Sequence, residues 1–129
     1  MGKFVIKTTK SGISFVLKAG NGEIICRSEV YNSSASCNKG IASVQKNAPV
    51  AAVENQTVEG FTKEKCPKFE IFLDKKEQFR FRLKATNGEI IAASEGYKAL
   101  SGCLNGIESV RKNAVDAEIV KLEPEADEK

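Results

Sequence analysis

The sequence predicts an α+β fold of two tandem β-β-β-α-β repeats that form one pseudo-two-fold domain with a shared antiparallel sheet. Three observations predict it: an internal duplication, apolar residues that alternate along short segments, and an apolar stripe of helical period after each set of strands. We place repeat 1 at about 3–54, a connector at 55–67, repeat 2 at about 68–122 and an acidic tail at 123–129.

The duplication is the most informative of the three. Residues 15–48 and 81–114 are identical at 20 of 34 positions, which chance does not produce. The first strands of the two copies align at an offset of 65 residues, whereas the rest of the repeat aligns at 66. The first hairpin loop therefore differs by one residue between the copies. At roughly 55 residues, one copy offers a thin core, and sharing a sheet would let the copies cover each other.

The strands are read from the alternation of apolar and polar residues. The first strand is Lys3–Thr8 in one copy and Lys68–Leu73 in the other. In the second strand Phe15 and Leu17 face one side with Ser14 and Lys18 on the other, and their counterparts in repeat 2 alternate with arginines and a lysine, which indicates a half-buried strand. Asn21-Gly22 then predicts a type I′ turn into the third strand.

An apolar stripe predicts the helix of each repeat. Its members are Cys37, Ile41, Val44 and Ala48 in repeat 1 and Cys103, Ile107, Val110 and Ala114 in repeat 2. The predicted N-caps are Ser33 or Ser34 in repeat 1 and Ser101 in repeat 2. The predicted ends are Lys46-Asn47 and Lys112-Asn113, with asparagine in the left-handed exit conformation, and short strands follow at 50–54 and 118–122.

The repeated motifs resemble a known family. Asn-Gly-Glu-Ile-Ile, Ser-Glu-x-Tyr and Cys-x-x-Gly-Ile-x-Ser-Val-x-Lys-Asn-Ala occur in both copies and are similar to those of the YegP-like proteins, which have no known function. The resemblance implies an α+β fold with two copies sharing a sheet, and it is compatible with exchange of the short C-terminal strand of each copy. It implies no activity, cofactor or catalytic residue.

Composition removes several classes of function. The chain has no histidine, which excludes Ser-His-Asp and Cys-His catalysis and His-ligated metals. No Gly-rich phosphate loop and no Cys-x-x-Cys pair is present, so we expect no catalytic residue, no metal and no cofactor. The first apolar stretch is too short for a signal peptide, so we expect a cytosolic protein with reduced cysteines.

Four residues are the candidates for a binding site. Glu29, Tyr31, Glu95 and Tyr97 occupy equivalent positions before the two helices. If the copies bury surface on each other, these residues would line the junction in pairs. The alternative, which we favour, is that they order only the entry into each helix.

Arg80, Arg82 and Lys84 are a second set of candidates. They project from one face of a strand, where a basic row could follow nucleic-acid phosphates. Repeat 1 lacks two of these cations, and the net charge of +3 is low for a nucleic-acid binder. We therefore favour a solvated strand with cross-strand partners such as Glu70 and Glu89.

The cysteines and two helical glycines complete the candidates. Cys37 and Cys103 lie near helix starts, where the pKa of a thiol can be lowered and the thiol made reactive. Both belong to the apolar stripe, however, so we interpret them as core residues. Cys66 is the thiol expected to be exposed.

Gly40 and Gly106 lie within the helices, which predicts that the other helix or an exchanged strand packs directly against them.

The function predicted from the sequence is a non-catalytic binding module. A weak nucleic-acid binder and a thiol-based redox protein are the alternatives, in that order. The expected partner is a protein or a small ligand at the junction of the repeats rather than nucleic acid or a membrane, and the expected oligomeric state is a monomer.

Overall fold

The computed structural model describes residues 2–121; the predicted acidic tail lies outside them. The two repeats form one eight-stranded sheet with two helices on one face. The strands are β1 (Lys3–Thr9), β2 (Gly12–Lys18), β3 (Ile24–Arg27), β4 (Ala52–Asn55), β5 (Lys68–Leu73), β6 (Phe79–Lys84), β7 (Ile90–Ala93) and β8 (Glu118–Lys121). The helices are α1 (Ser34–Asn47) and α2 (Leu100–Val115).

The last strand of each repeat is exchanged. The order across the sheet is β4-β5-β6-β7-β3-β2-β1-β8, so β4 pairs with repeat 2 and β8 with repeat 1. Both exchanged strands run parallel to their neighbours, whereas the six central strands are antiparallel. The shared sheet is therefore mixed rather than antiparallel throughout, because each helix returns the chain over the sheet before the exchanged strand begins.

The two sheet faces differ in environment. On the helical face, Phe4, Phe15, Phe69 and Phe81 are all 0–1% exposed, and they belong to one core cluster to which both repeats contribute. The predicted stripes of α1 and α2 face this cluster. The opposite face, which we call the outer face, carries no helix among residues 2–121 and displays most of the charged residues of the strands together with a few apolar ones. Where the connector does not cover it, this face provides the surface on which binding residues can lie.

The two middle strands that meet at the junction of the repeats are joined weakly. β3 and β7 are short, and Arg27 opposite Ala93 is their one registered pair. The sheet is therefore continuous between the repeats through only a short stretch of strand pairing. The residues that follow β3 and β7 line a groove at this point.

Several local predictions need correction. Ser33 caps α1 by accepting from the Ser36 N–H, as expected, but α2 begins after Ala99, which provides no side-chain cap, and Ser101 lies inside the helix. The helices do not end on left-handed asparagines: the Asn47 and Asn113 side chains instead donate to the carbonyl oxygens of Ser43 and Ser109. A side chain that binds the preceding turn holds the residue in the helix.

The Asn-Gly hairpins are tight but are not type I′ turns. Gly22 and Gly88 have φ of 89° and 85°, while the asparagines before them keep negative φ. The Gly22 N–H donates to the Ala19 carbonyl, and the register shifts next to this turn. This is the arrangement of a type I turn followed by a glycine bulge, in which only the glycine needs positive φ.

Candidate binding site at the junction of the repeats

The two tyrosines of the repeated Ser-Glu-x-Tyr motif pack inward. The Tyr31 ring lies parallel to Phe15 with centroids 6.3 Å apart, and Tyr97 lies in the same way on Phe81 at 6.4 Å. Each tyrosine also pairs with β2 or β6 through backbone hydrogen bonds. Burial raises the pKa of both tyrosines, so their hydroxyls remain protonated at neutral pH. These rings serve mainly to seal the core at the helix entry.

The helical glycines make room for these tyrosines. A Cβ atom at Gly40 would contact the Tyr31 hydroxyl and lie 2.8 Å from its Cζ atom. At Gly106 it would contact the Tyr97 hydroxyl in the same way. The prediction that the other helix or an exchanged strand packs there is therefore wrong: the packing partner is a tyrosine of the same repeat. A close approach to the backbone was correctly expected.

The serines of the motif also have a structural role. Ser28 Oγ accepts from the Phe15 N–H at 2.9 Å and donates to the Glu29 carbonyl at 2.7 Å. Ser94 makes the equivalent bonds with Phe81 and Glu95. The serine hydroxyl thus accepts the backbone N–H of β2 or β6 in place of a carbonyl of the neighbouring strand, at the point where the chain leaves the sheet. This turn directs the following glutamate to the surface.

Glu29 and Glu95 reach a groove of about 460 Å³ on the outer face at the junction. Arg27 NH2 lies 3.1 Å from Glu95 Oε2, so an ion pair links one repeat to the other at its rim. The lining residues are Arg27, Ser28, Glu29, Phe72, Arg80, Arg82, Ile90, Ala92, Ala93, Ser94 and Glu95. Two predicted candidate sets, the glutamates and the arginines, therefore meet in one depression.

The groove does not contain all the predicted residues. Lys84 is not among its lining residues, and Tyr31 lies on the helical side. Tyr97 instead borders a neighbouring hollow of about 480 Å³, together with Gly22, Glu23, Ile24, Glu95 and Gly96. Glu95 lines both depressions.

The basic row of β6 is neutralised by carboxylates. Arg82 Nε lies 2.6 Å from Glu70 Oε1, and Lys84 Nζ lies 3.2 Å from Glu70 Oε2. Arg80 Nε lies 2.6 Å from Asp74 Oδ2. The expected cross-strand partner Glu70 is thus present, whereas Glu89 forms no ion pair with any residue of 2–121. These pairs reduce the positive potential that nucleic-acid binding would need.

The groove is less symmetric than the sequence suggested. Ser28/Ser94 and Glu29/Glu95 line it in pairs. Arg27, however, corresponds to Ala93, and Arg82 corresponds to Val16, so the guanidinium groups of the two walls do not match. The two-fold relation therefore holds for the backbone and the glutamates but not for the cations.

Arg27 and Phe72 are two of the lining residues that sequence reasoning missed. The Arg82 guanidinium carbon lies over the Phe72 ring, 4.6 Å from its centroid, and both residues line the groove. The alternation of β5 places Phe72 on the outer face between core positions, and this signal was available in the sequence. Arg27 could be identified only once β3 was known to pair with β7.

The cysteines do not form a reactive site. Burial raises the pKa of Cys26 to about 12 and that of Cys103 to about 11, and it also raises the pKa of Cys37. All three are fully buried, as the core interpretation requires, and Cys66 is half-buried. Thiolate chemistry at Cys37 or Cys103 therefore has no physical support.

Residues 2–121 contain no cluster of three or more cysteine, aspartate or glutamate side chains placed to bind a metal ion. No helix in that range is long and apolar enough to span a membrane.

Comparisons with known proteins agree on one family. A domain of unknown function, DUF1508, matches residues 10–55 and 74–120, one match per repeat. The UPF0339 protein YegP of Yersinia pestis is 41% identical over 123 residues, which is 95% of this chain and 96% of that protein. A UPF0339 protein of Treponema denticola is 64% identical over 55 residues, 43% of this chain but 95% of that protein, so it corresponds to one repeat.

A solved structure shows the same fold. The solution structure of the E. coli protein yegP, described as of unknown function, superposes with a TM-score of 0.77 at 34% identity and covers 93% of this chain and 91% of that chain.

Proposed function

The chain belongs to the YegP-like family of proteins of unknown function, and we propose that it is a non-catalytic binding module whose site is the groove at the junction of the repeats. One observation carries the proposal: the paired glutamates and the arginines, two sets distant in sequence, converge on one open depression between the copies. Boundaries between packed units favour ligand sites. A cytosolic location is part of the proposal, in keeping with four free cysteines.

The chemistry of the groove defines the ligand class. Phe72, Ile90 and Ala93 give an apolar floor. The exposed Arg27 guanidinium, whose NH2 pairs with Glu95 at the rim, stands beside it, whereas Arg82 is held by Glu70. Guanidinium groups recognise carboxylates by parallel hydrogen bonds. We therefore propose a ligand that carries a carboxylate next to an apolar group, either a small molecule or a protein segment.

The alternatives receive less support. A nucleic-acid function based on Arg80, Arg82 and Lys84 would have to break their ion pairs with Glu70 and Asp74. A redox function would require buried thiols with raised pKa values to react. We place both below the binding module.

An NMR titration tests the proposal. A panel of small aromatic and aliphatic carboxylates is added to the labelled protein, and amide shifts are mapped on the structure. We expect shifts at Arg27, Ala93 and Glu95, and a loss of affinity of about fivefold or more for Arg27→Ala, since one charged contact is removed. Lys39→Ala on the exposed side of α1 is the control and should bind normally. Shifts that map outside the groove, or a panel without any binder, would refute the proposal.

A further inference from the structure

The outer face of repeat 2 contains a buried cluster of charges. Glu70 Oε2 lies 3.2 Å from both Lys68 Nζ and Lys84 Nζ, two lysines that stand opposite each other in register. Glu54, on the exchanged strand β4, lies 2.7 Å from Lys68 Nζ. Lys68, Glu54 and Glu70 are at most 9% exposed. Carboxylates therefore occupy the space between the two lysines in this repeat.

Repeat 1 keeps the lysines and lacks the carboxylates. Lys3 and Lys18 correspond to Lys68 and Lys84 and are also opposite each other in register. The positions of Glu70 and Glu54 are taken by Val5 and Val120. The same sheet position therefore has the cations of the cluster without its anions.

No residue of 2–121 replaces the missing carboxylates. Lys3, Lys7 and Lys18 form no ion pair within that range, and Glu118 stands beside Lys3 in register without approaching it to 4.0 Å. Lys3 and Lys7 are exposed. Like charges placed directly opposite on a sheet are destabilising, so this face gains free energy from any anion that bridges them.

We propose that the outer face of repeat 1 binds an extended acidic peptide segment of a partner protein. One carboxylate bridges Lys3 and Lys18 as Glu70 bridges their counterparts, and a second binds Lys7. Lys3 and Lys7 are four residues apart on one strand, a span of about 13 Å. The segment therefore carries carboxylates four residues apart, with an aliphatic residue midway that packs on the half-buried Val16 beside the buried Val5.

The apolar strip favours a peptide over nucleic acid. The outward residues of β1, β2 and β8 include three valines, of which Val5 is buried, and no aromatic ring: they are Lys3, Val5, Lys7, Thr9, Gly12, Ser14, Val16, Lys18, Glu118 and Val120. Binding of single strands depends on stacking bases on aromatic side chains, which this surface does not offer. Aliphatic side chains between carboxylates complement it better.

A titration with a defined peptide tests the proposal. The probe is an acetylated and amidated peptide of sequence Ser-Glu-Ser-Val-Ser-Glu-Ser, added to the full chain at low salt and followed by amide shifts. We expect shifts at Val5, Val16 and Lys18, none in the groove at the junction, and weaker binding as salt is raised. The same peptide with glutamine in place of both glutamates should not bind.

Matched variants decide the outcome. Lys3→Ala/Lys18→Ala should lower the affinity by about fivefold or more, because two surface ion pairs are lost, whereas Lys10→Ala in the β1–β2 turn should not. Val5→Glu supplies the missing carboxylate internally and should also lower the affinity. Equal losses for Lys10→Ala and the double variant, unchanged binding in Val5→Glu, or tighter binding of a single-stranded oligonucleotide on this face would overturn the proposal.

Discussion

Gly40 and Gly106 show how a single missing side chain can determine local packing. Each glycine costs about 1 kcal/mol of helix propensity relative to alanine. In return it lets a tyrosine ring lie flat on Phe15 or Phe81 with its hydroxyl against the helix backbone. The glycine, the tyrosine and the phenylalanine of each repeat thus form one packing unit.

Gly40→Ala should therefore destabilise the protein although alanine favours helices. We expect a loss of about 1–3 kcal/mol in the free energy of unfolding, because the new methyl group overlaps Tyr31. Gly40→Leu and Gly106→Leu should cost at least as much. The measurement is urea unfolding.

Two companion variants isolate the cause. Asn38→Ala, on the exposed side of α1, should be neutral or slightly stabilising. In a Tyr31→Ala background, Gly40→Ala should lose most of its cost. If Gly40→Ala costs the same with and without the tyrosine ring, the packing unit is not its cause.

The exchanged strand β4 depends on a buried carboxylate. Burial would raise the pKa of Glu54, but hydrogen bonds from Gln56, Lys68 and the Glu64 N–H outweigh it and lower the pKa to about 2. The Glu64 N–H and Gln56 belong to the connector, so one side chain joins β4, β5 and the connector. In repeat 1, Val120 leaves β8 without an equivalent link.

The folded protein should lose stability in acid because of this carboxylate. The pKa of Glu54 is lower in the folded than in the unfolded chain, so its contribution is complete above about pH 4.5 and disappears as the pH falls toward 2. Glu54→Gln should destabilise the protein at pH 7 and flatten the decline of stability between pH 4.5 and 2.

Urea unfolding at several pH values provides this measurement. Glu118→Gln, an exposed glutamate on the other exchanged strand, is the matched control and should leave the profile nearly unchanged. A Glu54→Gln profile parallel to that of the unmodified protein would contradict the link.

Strand exchange makes each repeat incomplete without the other. Repeat 1 needs β8 beside β1, and β4 finds its partner only in β5. A chain of about the length of the T. denticola match has no second repeat to supply this strand. A second copy of a single repeat could donate the missing strand.

Residues 1–60 expressed alone should therefore be either unfolded or a dimer. In the dimer, β4 of one copy would take the place of β8 beside β1 of the other. It would bring Glu54 next to the partner's Lys3, which has no carboxylate partner among residues 2–121. Circular dichroism and sedimentation equilibrium measure folding and mass.

Lys3→Glu would place two carboxylates together in that dimer and should weaken it. Lys10→Glu changes the charge equally outside the interface and serves as the control. A stable folded monomer of residues 1–60 would contradict the dependence of the repeats on each other.

Much of the fold could be predicted because its signals are local. Alternation along Phe15 and Leu17, the stripe from Cys37 to Ala48 and the duplication depend on side-chain period and do not require knowledge of long-range contacts. The same signals identified the buried cysteines Cys37 and Cys103. Errors occurred where alternatives are nearly equal in energy, such as the cap of α2 and the conformation at Asn47.

The groove itself could not be predicted, since it depends on which strands become neighbours. The meeting of Arg27 with Glu95, which belong to different repeats, follows from the pairing of β3 with β7, and no local pattern specifies that pairing. The partner of Gly40 likewise depended on where the Tyr31 ring returns to the helix. The sequence by itself determines which residues are apolar and where the chain can turn. Long-range strand pairing determines which charged side chains face one another. That pairing cannot be read from any local pattern, because it results from many weak contacts summed over the folded sheet.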